Sequence, residues 1–256
     1  MNNVVSIVCL IENNLFQNTL FFDSIGYKKT IKEEELVSSK EPHLINTICG
    51  LEVEIIIGVK TDFVDVDNIE KINAIADKVF IIGENVNNAE AYNLLFKNCS
   101  KEYVCVIKEQ FFLEPDWLQD LLLYQKNIFK SGVVSIASDF MLCEYTSLQS
   151  SDEENLIGVF CSKNEILENT GAYLFDRQLL YFVGAFDTDN TITDYEFLQW
   201  QMRCTRIGFH NFYIPTKSCI HFKNQKMYEP EKLKIVEKSV EEMRKNRNFY
   251  IPLDTF

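Results

Sequence analysis

Four apolar runs in this chain end in residues that could do chemistry. Glu12 follows the run that closes at Ile11, and Asp62 ends Val59-Lys60-Thr61-Asp62. A third run stops at Ile82. The fourth, Tyr103 to Ile107, leads into Lys108-Glu109-Gln110, which is one ammonium, one carboxylate and one amide. An ammonium at such a turn can neutralise a bound anion as a compact charge. A single carboxylate holds a hard divalent cation poorly, because such ions want several oxygens. The second half adds the carboxylates of Asp187, Asp194 and Glu196, and His221 at the end of an apolar stretch. A carboxylate at a helix start can serve as a general base or can complement the helix dipole. Glu196, two residues beyond Asp194, points elsewhere on a helix. A lone His after a strand reads either as a metal ligand or as a hydrogen-bonded structural group.

Regular elements must position these groups. Residues 4–11, 53–59, 78–82 and 103–107 are short, apolar and β-branched, the pattern of buried strands. Helical stretches are expected from 12 to about Ser24, at 68–77 and at 88–99. Another opens at Glu114-Pro115-Asp116, with Leu118, Leu121, Leu122, Gln125 and Phe129 on one face. Strands alternating with helices predict an α/β fold with a mainly parallel twisted sheet and right-handed crossovers. In such sheets the ligand binds beyond the carboxyl ends of the strands, here just after 11, 59, 82 and 107. The second half predicts strands at 133–137, 157–161, 172–175 and 210–214 and a helix at 194–206. A last helix, 230–245, carries Leu233, Val236, Val240 and Met243 on one stripe, to pack on the domain or on a partner. Trp117 and Trp200 fit core positions on helices.

Composition bounds the function. The 256 residues suit one large α/β domain, and 46% hydrophobic with 25% charged residues is globular. A net charge of −13 disfavours a broad nucleic-acid surface but leaves room for a local basic pocket. Eight cysteines, with no C-x-x-C pair, sit mostly in apolar runs such as Ser6-Ile7-Val8-Cys9-Leu10, so they read as reduced core residues. Met1-Asn2-Asn3 is not the basic start of a signal peptide, and no run approaches the ~18 apolar residues of a spanning helix. The expectation is a soluble, cytoplasmic chain whose membrane contact, if it has one, is peripheral.

Ordered motifs then carry a resemblance over nearly the whole length. The opening strand with Glu12-Asn13-Asn14, Asn88-Ala89-Glu90-Ala91-Tyr92-Asn93, and Cys99-Ser100-Lys101-Glu102-Tyr103 come first. Val106 to Leu118 (VIKEQFFLEPDWL), Gly171 to Asp187 (GAYLFDRQLLYFVGAFD), Thr193-Asp194-Tyr195-Glu196-Phe197, Ile214-Pro215 and Ile220-His221-Phe222 follow in order. Together they resemble family-2-type glycosyltransferases of the GT-A fold. That resemblance implies one GT-A-like domain, with 1–130 holding a nucleoside diphosphate sugar, 131–228 the acceptor, and 229–256 a C-terminal helix and tail. It places Glu12, Asp62, Asn93, Lys108 and Glu109 on the donor side and Asp187 and Glu196 on the acceptor side. Asp194 takes the place of the base. The activity implied is inverting transfer of a hexose-type sugar to a glycan, lipid or protein, with no nucleic-acid partner and a peripheral membrane or protein partner possible.

Three positions depart from the family pattern. Lys108-Glu109-Gln110 stands where a D-x-D would hold Mn2+ or Mg2+, leaving Glu109 and His221 as the metal ligands. Val59-Lys60-Thr61-Asp62 keeps one acid of an Asp-rich turn, and Tyr92 replaces an Arg. Two readings therefore stand: a glycosyltransferase with weak or dispensable metal, and a catalytically impaired domain of the same fold acting as a binding or partner subunit.

Overall fold

Alternation along the first strand sets the layers. In β1 (Val5–Ile11) every residue is buried. Val5, Ile7, Cys9 and Ile11 enter one core, while Val8 and Leu10 enter another. Successive side chains of a strand leave opposite faces, so a strand buried throughout must carry protein on both sides. The computed structural model describes residues 4–12, 25–31, 44–64, 66–108, 111–138, 145–148, 159–162, 167, 171–189 and 196–221.

Among these residues twelve strands form one sheet that runs through both halves of the chain. The strands are β1, β2 (Tyr27–Ile31), β3 (Leu44–Ile48), β4 (Leu51–Lys60), β5 (Lys78–Ile82), β6 (Tyr103–Ile107), β7 (Phe111–Leu113), β8 (Ser131–Ser138), β9 (Tyr145–Leu148), β10 (Val159–Ser162), β11 (Ala172–Asp176) and β12 (His210–His221). The order is β2-β3-β4-β1-β6-β11-β8-β12-β10-β9, with β5 on β4 and β7 on β12. β5, β4, β1 and β6 are mutually parallel. β11 enters antiparallel to both β6 and β8, and β12 returns parallel to β8. The expected α/β fold is present, with its parallel block in the first half and most antiparallel pairs in the second.

Helices cover both faces. Helix α1 (Val66–Ile75) and α3 (Trp117–Asn127) pack on the core that takes the odd residues of β1. Helices α2 (Asn88–Lys97), α4 (Leu179–Val183) and α5 (Glu196–Arg206) pack on the other. Trp117 and Trp200 are fully buried, as expected. Cys9, Cys99, Cys105 and Cys204 are buried too, and none of them is in a disulfide. Burial pushes the Cys99 thiol up to about 12 and raises those of Cys105 and Cys204 as well.

Two sequence expectations need correction. Phe129 does not share the buried face of α3; it is 83% exposed. The helix stops at Asn127 and Ile128 turns extended (φ −96, ψ 124), which breaks the helical phase before Phe129. Pro115 is not the first helical residue either, since Asp116 intervenes in left-handed conformation (φ 61) and α3 starts at Trp117. The expected helices at 12–24 and 230–245 lie outside the described residues. Among the described residues no helix is long and apolar enough to cross a membrane.

Candidate functional site

The parallel strands end together, and their register decides which side chains meet. Ile11 pairs with Val59, Lys60 with Ile82, and Cys9 with Ile107. Glu12, the Lys60-Thr61-Asp62 turn, Gly83 and Lys108 therefore line one edge. Glu12 is half-buried there. A 3-10 turn over Thr61–Phe63 carries Asp62, whose side chain is exposed. The Lys60 ammonium donates to the Val86 carbonyl and ties the turn after β4 to the one after β5.

Lys108 is held from two directions. Its N–H donates to the Gly171 carbonyl at 2.9 Å, and its own carbonyl accepts from Phe111 at 3.3 Å. The half-buried ammonium lies 5.7 Å from the centroid of the Tyr173 ring, a cation–π distance. Tyr173 in turn stacks on Phe197 of α5 at 4.6 Å. Gly171 is obligatory at this contact, because a Cβ there would stand 2.7 Å from Cβ of Phe111. On the other side of the turn, the register of β12 sets His221 opposite Phe111. The fold thus brings the backbone of His221 next to the turn that begins at Lys108. Glu109, Gln110 and Asp194 lie outside the described residues.

The segment around Asp187 is fixed by side chains from two helices. Arg203 donates to the carbonyls of Val183 and Ala185, Trp200 to that of Gly184. Gly184 has φ 84, a conformation that favours glycine, and it ends α4. Asn93, fully buried, accepts from the N–H of Phe186 at 2.8 Å and donates to its carbonyl at 2.9 Å. One oxygen of Asp187 accepts from Gln199 at 2.9 Å and the other from the Asp189 N–H at 3.1 Å. Asn87 donates to the Thr188 carbonyl and, with Glu90, forms a capping box on α2. Burial lowers the Arg203 guanidinium to about 10.

Two site expectations gain definite placements from this. Asn93 spends its amide on the backbone of Phe186 and so positions the Asp187 segment. Glu196 is buried in the first turn of α5. Tyr92, at the place of an Arg in the resembled pattern, is 4% exposed and meets Phe197 edge-on at 5.5 Å. Its ring belongs to the aromatic core. Sequence reasoning passed over Asn87, Gln199 and Arg203. Asn87-x-x-Glu90 is a capping-box spacing that could have flagged the first. Nothing local marks the other two, since their roles appear only once α5 is seen to be buried from Glu196 to Cys204.

Among the described residues no three of His, Cys, Asp and Glu gather around one point. At the edge, Lys108 brings a positive charge, Asp62 is exposed, and both Asp187 oxygens already accept hydrogen bonds. These described residues alone do not supply the several converging oxygens a divalent cation requires, and Glu109 and the His221 side chain, the expected ligands, lie outside them.

Comparison with known proteins places this arrangement. No protein-family model matches the chain, and no curated protein does. Solved structures match over most of it. S. aureus TarS 1–349 shares 13% identity at a TM-score of 0.54, over 85% of this chain and 60% of that one. The same protein in complex with UDP-GlcNAc gives 11%, 0.55, 93% and 65%. GalNAc-T7 with UDP, GalNAc and Mn2+ gives 12%, 0.59, 86% and 44%. The chain thus spans less than two thirds of each of these proteins. At these identities the likeness establishes the fold, and the fold is the GT-A architecture of glycosyltransferases.

Proposed function

We propose that the chain is a glycosyltransferase that moves a sugar from a nucleoside diphosphate sugar to a glycan, lipid or protein hydroxyl with inversion. One observation carries the reading: the GT-A sheet ends in one edge along which Glu12, Asp62 and Lys108 lie. The neighbouring structures support it, since one is a complex with UDP-GlcNAc and another contains UDP. In this reading the acceptor oxygen attacks the anomeric carbon in line as the bond to the diphosphate breaks. Asp194 takes the hydroxyl proton. Lys108, braced by Tyr173, neutralises the charge that grows on the departing diphosphate. Glu196, at the start of α5, and Asp187, in the segment facing it, border the acceptor. Donor binding then depends weakly, or not at all, on Mn2+ or Mg2+, because Lys108-Glu109-Gln110 is near neutral and offers one carboxylate.

A second reading is favoured by that same lysine: a domain of this fold that binds a partner or a sugar nucleotide without turnover. A thermal-shift panel of nucleoside diphosphate sugars, with and without manganese, tests the donor class. A ligand bound only by the folded state raises the melting temperature with its concentration. One donor giving a saturable rise without manganese is the expected result. No rise with any donor under either condition would defeat both readings that involve a sugar nucleotide.

A further inference from the structure

At the end of the sheet remote from Lys108, β6, β8 and β12 begin and β11 ends around a cavity of about 310 Å3. Tyr103 lines it, and the five steps from Tyr103 to Lys108 span roughly 16 Å of strand at ~3.3 Å per residue. The two places are therefore separate. The cavity is at the small end of ligand sites, with room for one substituted ring.

Its lining mixes charge and aromatic surface in an unusual way for an acidic chain. Lys126 and Lys130 both border it. The Lys126 ammonium lies 5.5 Å from the Tyr103 ring and that of Lys130 lies 5.7 Å from the Phe129 ring. Neither ammonium has a carboxylate or a hydrogen-bond acceptor among the described residues. Lys130 is held at φ 54, where a glycine would cost less, yet the position carries a charged side chain. Phe182 and Phe209 stack at 6.3 Å along another wall, and Phe182 is 60% exposed. Asp176 and Gln178 complete the rim, the Gln178 N–H donating to one Asp176 oxygen at 2.8 Å. An ionised carboxylate has acceptor capacity beyond that single bond. Burial, the hydrogen bond that the Tyr103 hydroxyl donates to Glu102, and the charges of Glu102 and Asp176 push that hydroxyl up to about 12 and keep it a hydroxyl.

We propose that this cavity binds a sugar bearing an anionic substituent, a phosphate or a carboxylate. Its anionic group sits between Lys126 and Lys130. The apolar face of the ring lies against Phe182, and ring hydroxyls donate to Asp176. An aromatic wall beside a carboxylate suits a ring that is apolar on its faces and rich in hydroxyls at its edge. Two cations, neither ion-paired among the described residues, against a single lining carboxylate suit an anion. A bare anion would leave the aromatic wall unused, and a neutral sugar would give neither ammonium group an anion to pair with.

The test is calorimetric titration of the full chain with glucose 6-phosphate, glucuronate, glucose, inorganic phosphate and uridine monophosphate. The variants are the pair Lys126→Ala with Lys130→Gly, and Phe182→Ala; all three side chains are exposed, and glycine suits φ 54. Glucose 6-phosphate or glucuronate is expected to bind at least about tenfold tighter than glucose or phosphate, and the better of the two names the anion. The lysine pair is expected to lose about tenfold or more, and Phe182→Ala to weaken binding as well. Lys108→Ala is expected to leave this binding unchanged, which separates it from the donor reading. Phosphate binding as tightly as the sugar phosphate, a preference for uridine monophosphate, indifference to the variants, or no saturable binding would each overturn the proposal.

Discussion

Asn93 gives its whole amide to the backbone of Phe186, accepting from the N–H and donating to the carbonyl. Removing the amide leaves two buried backbone groups without partners, each costing about 1–3 kcal/mol. Asn93→Ala should therefore lower unfolding free energy by about 2–4 kcal/mol in urea denaturation, and a change under 1 kcal/mol would show that solvent reaches Phe186. Asp194 is a different kind of residue, since its proposed role is chemical. Asp194→Asn should cut turnover by about 10²–10⁴-fold while donor binding by thermal shift stays within twofold. Near-normal rates would move the base elsewhere, with Asp187 the next residue to change. The contrast explains what was legible at this scale. Residue type and position mark Asp194, Lys108 and Glu12 as candidates. The backbone partner of Asn93 and the commitment of Tyr92 to the core are invisible until the helix that carries them is seen against the Phe186 segment.

Elements were legible where one apolar period governed the whole stretch. Strands β5 and β6 fall at the expected 78–82 and 103–107. In β6 burial on both faces leaves one continuous apolar run, while β5 is only partly buried, with Ile81 exposed, and is marked by its short β-branched and aromatic run. The β2–β3 hairpin and the three-residue β7 were missed. The hairpin pairs Lys28 with Thr47 and Lys29 with Asn46, a polar edge with no periodic signature. Strand β4 holds another feature with a measurable consequence. Glu54 accepts from Ser6 at 2.5 Å, from Lys78 at 2.9 Å and from the Ser100 N–H at 2.9 Å, joining β1, β5 and the turn before β6. Burial alone would push its carboxyl up, but these bonds and the Lys78 charge hold it below the usual carboxylate range. A lowered folded-state value means stability that is present above the unfolded value, near 4.3, and lost as pH falls through the folded one. Wild type should exceed Glu54→Gln in urea midpoint at pH 7, and the gap should shrink below pH 4. A gap that is constant with pH would mean that the carboxylate charge contributes nothing.

At the scale of the molecule, the strand–helix order was enough to foresee an α/β sheet whose parallel strands end near 11, 59, 82 and 107. The antiparallel insertion of β11 between β6 and β8 was not foreseeable, because pairing partners far apart in sequence leave no local pattern. That insertion matters. It carries Tyr173 under Lys108 and brings the Asp187 segment against α2, so one sheet joins the edge where the donor is proposed to the side where the acceptor is proposed. The aromatic cluster of Tyr92, Phe96, Phe175, Phe186, Phe197 and Trp200 fills the space between them with mainly edge-on contacts.

The most direct test of the account is calorimetric titration of UDP into the wild type and Lys108→Ala, each with manganese and with chelator. The lysine at the end of β6 is assigned the charge that a metal would otherwise carry. The account predicts saturable binding to the wild type that is unchanged by chelator and weakened about tenfold or more in Lys108→Ala. Binding that vanishes with chelator while Lys108→Ala binds as well as the wild type would contradict it.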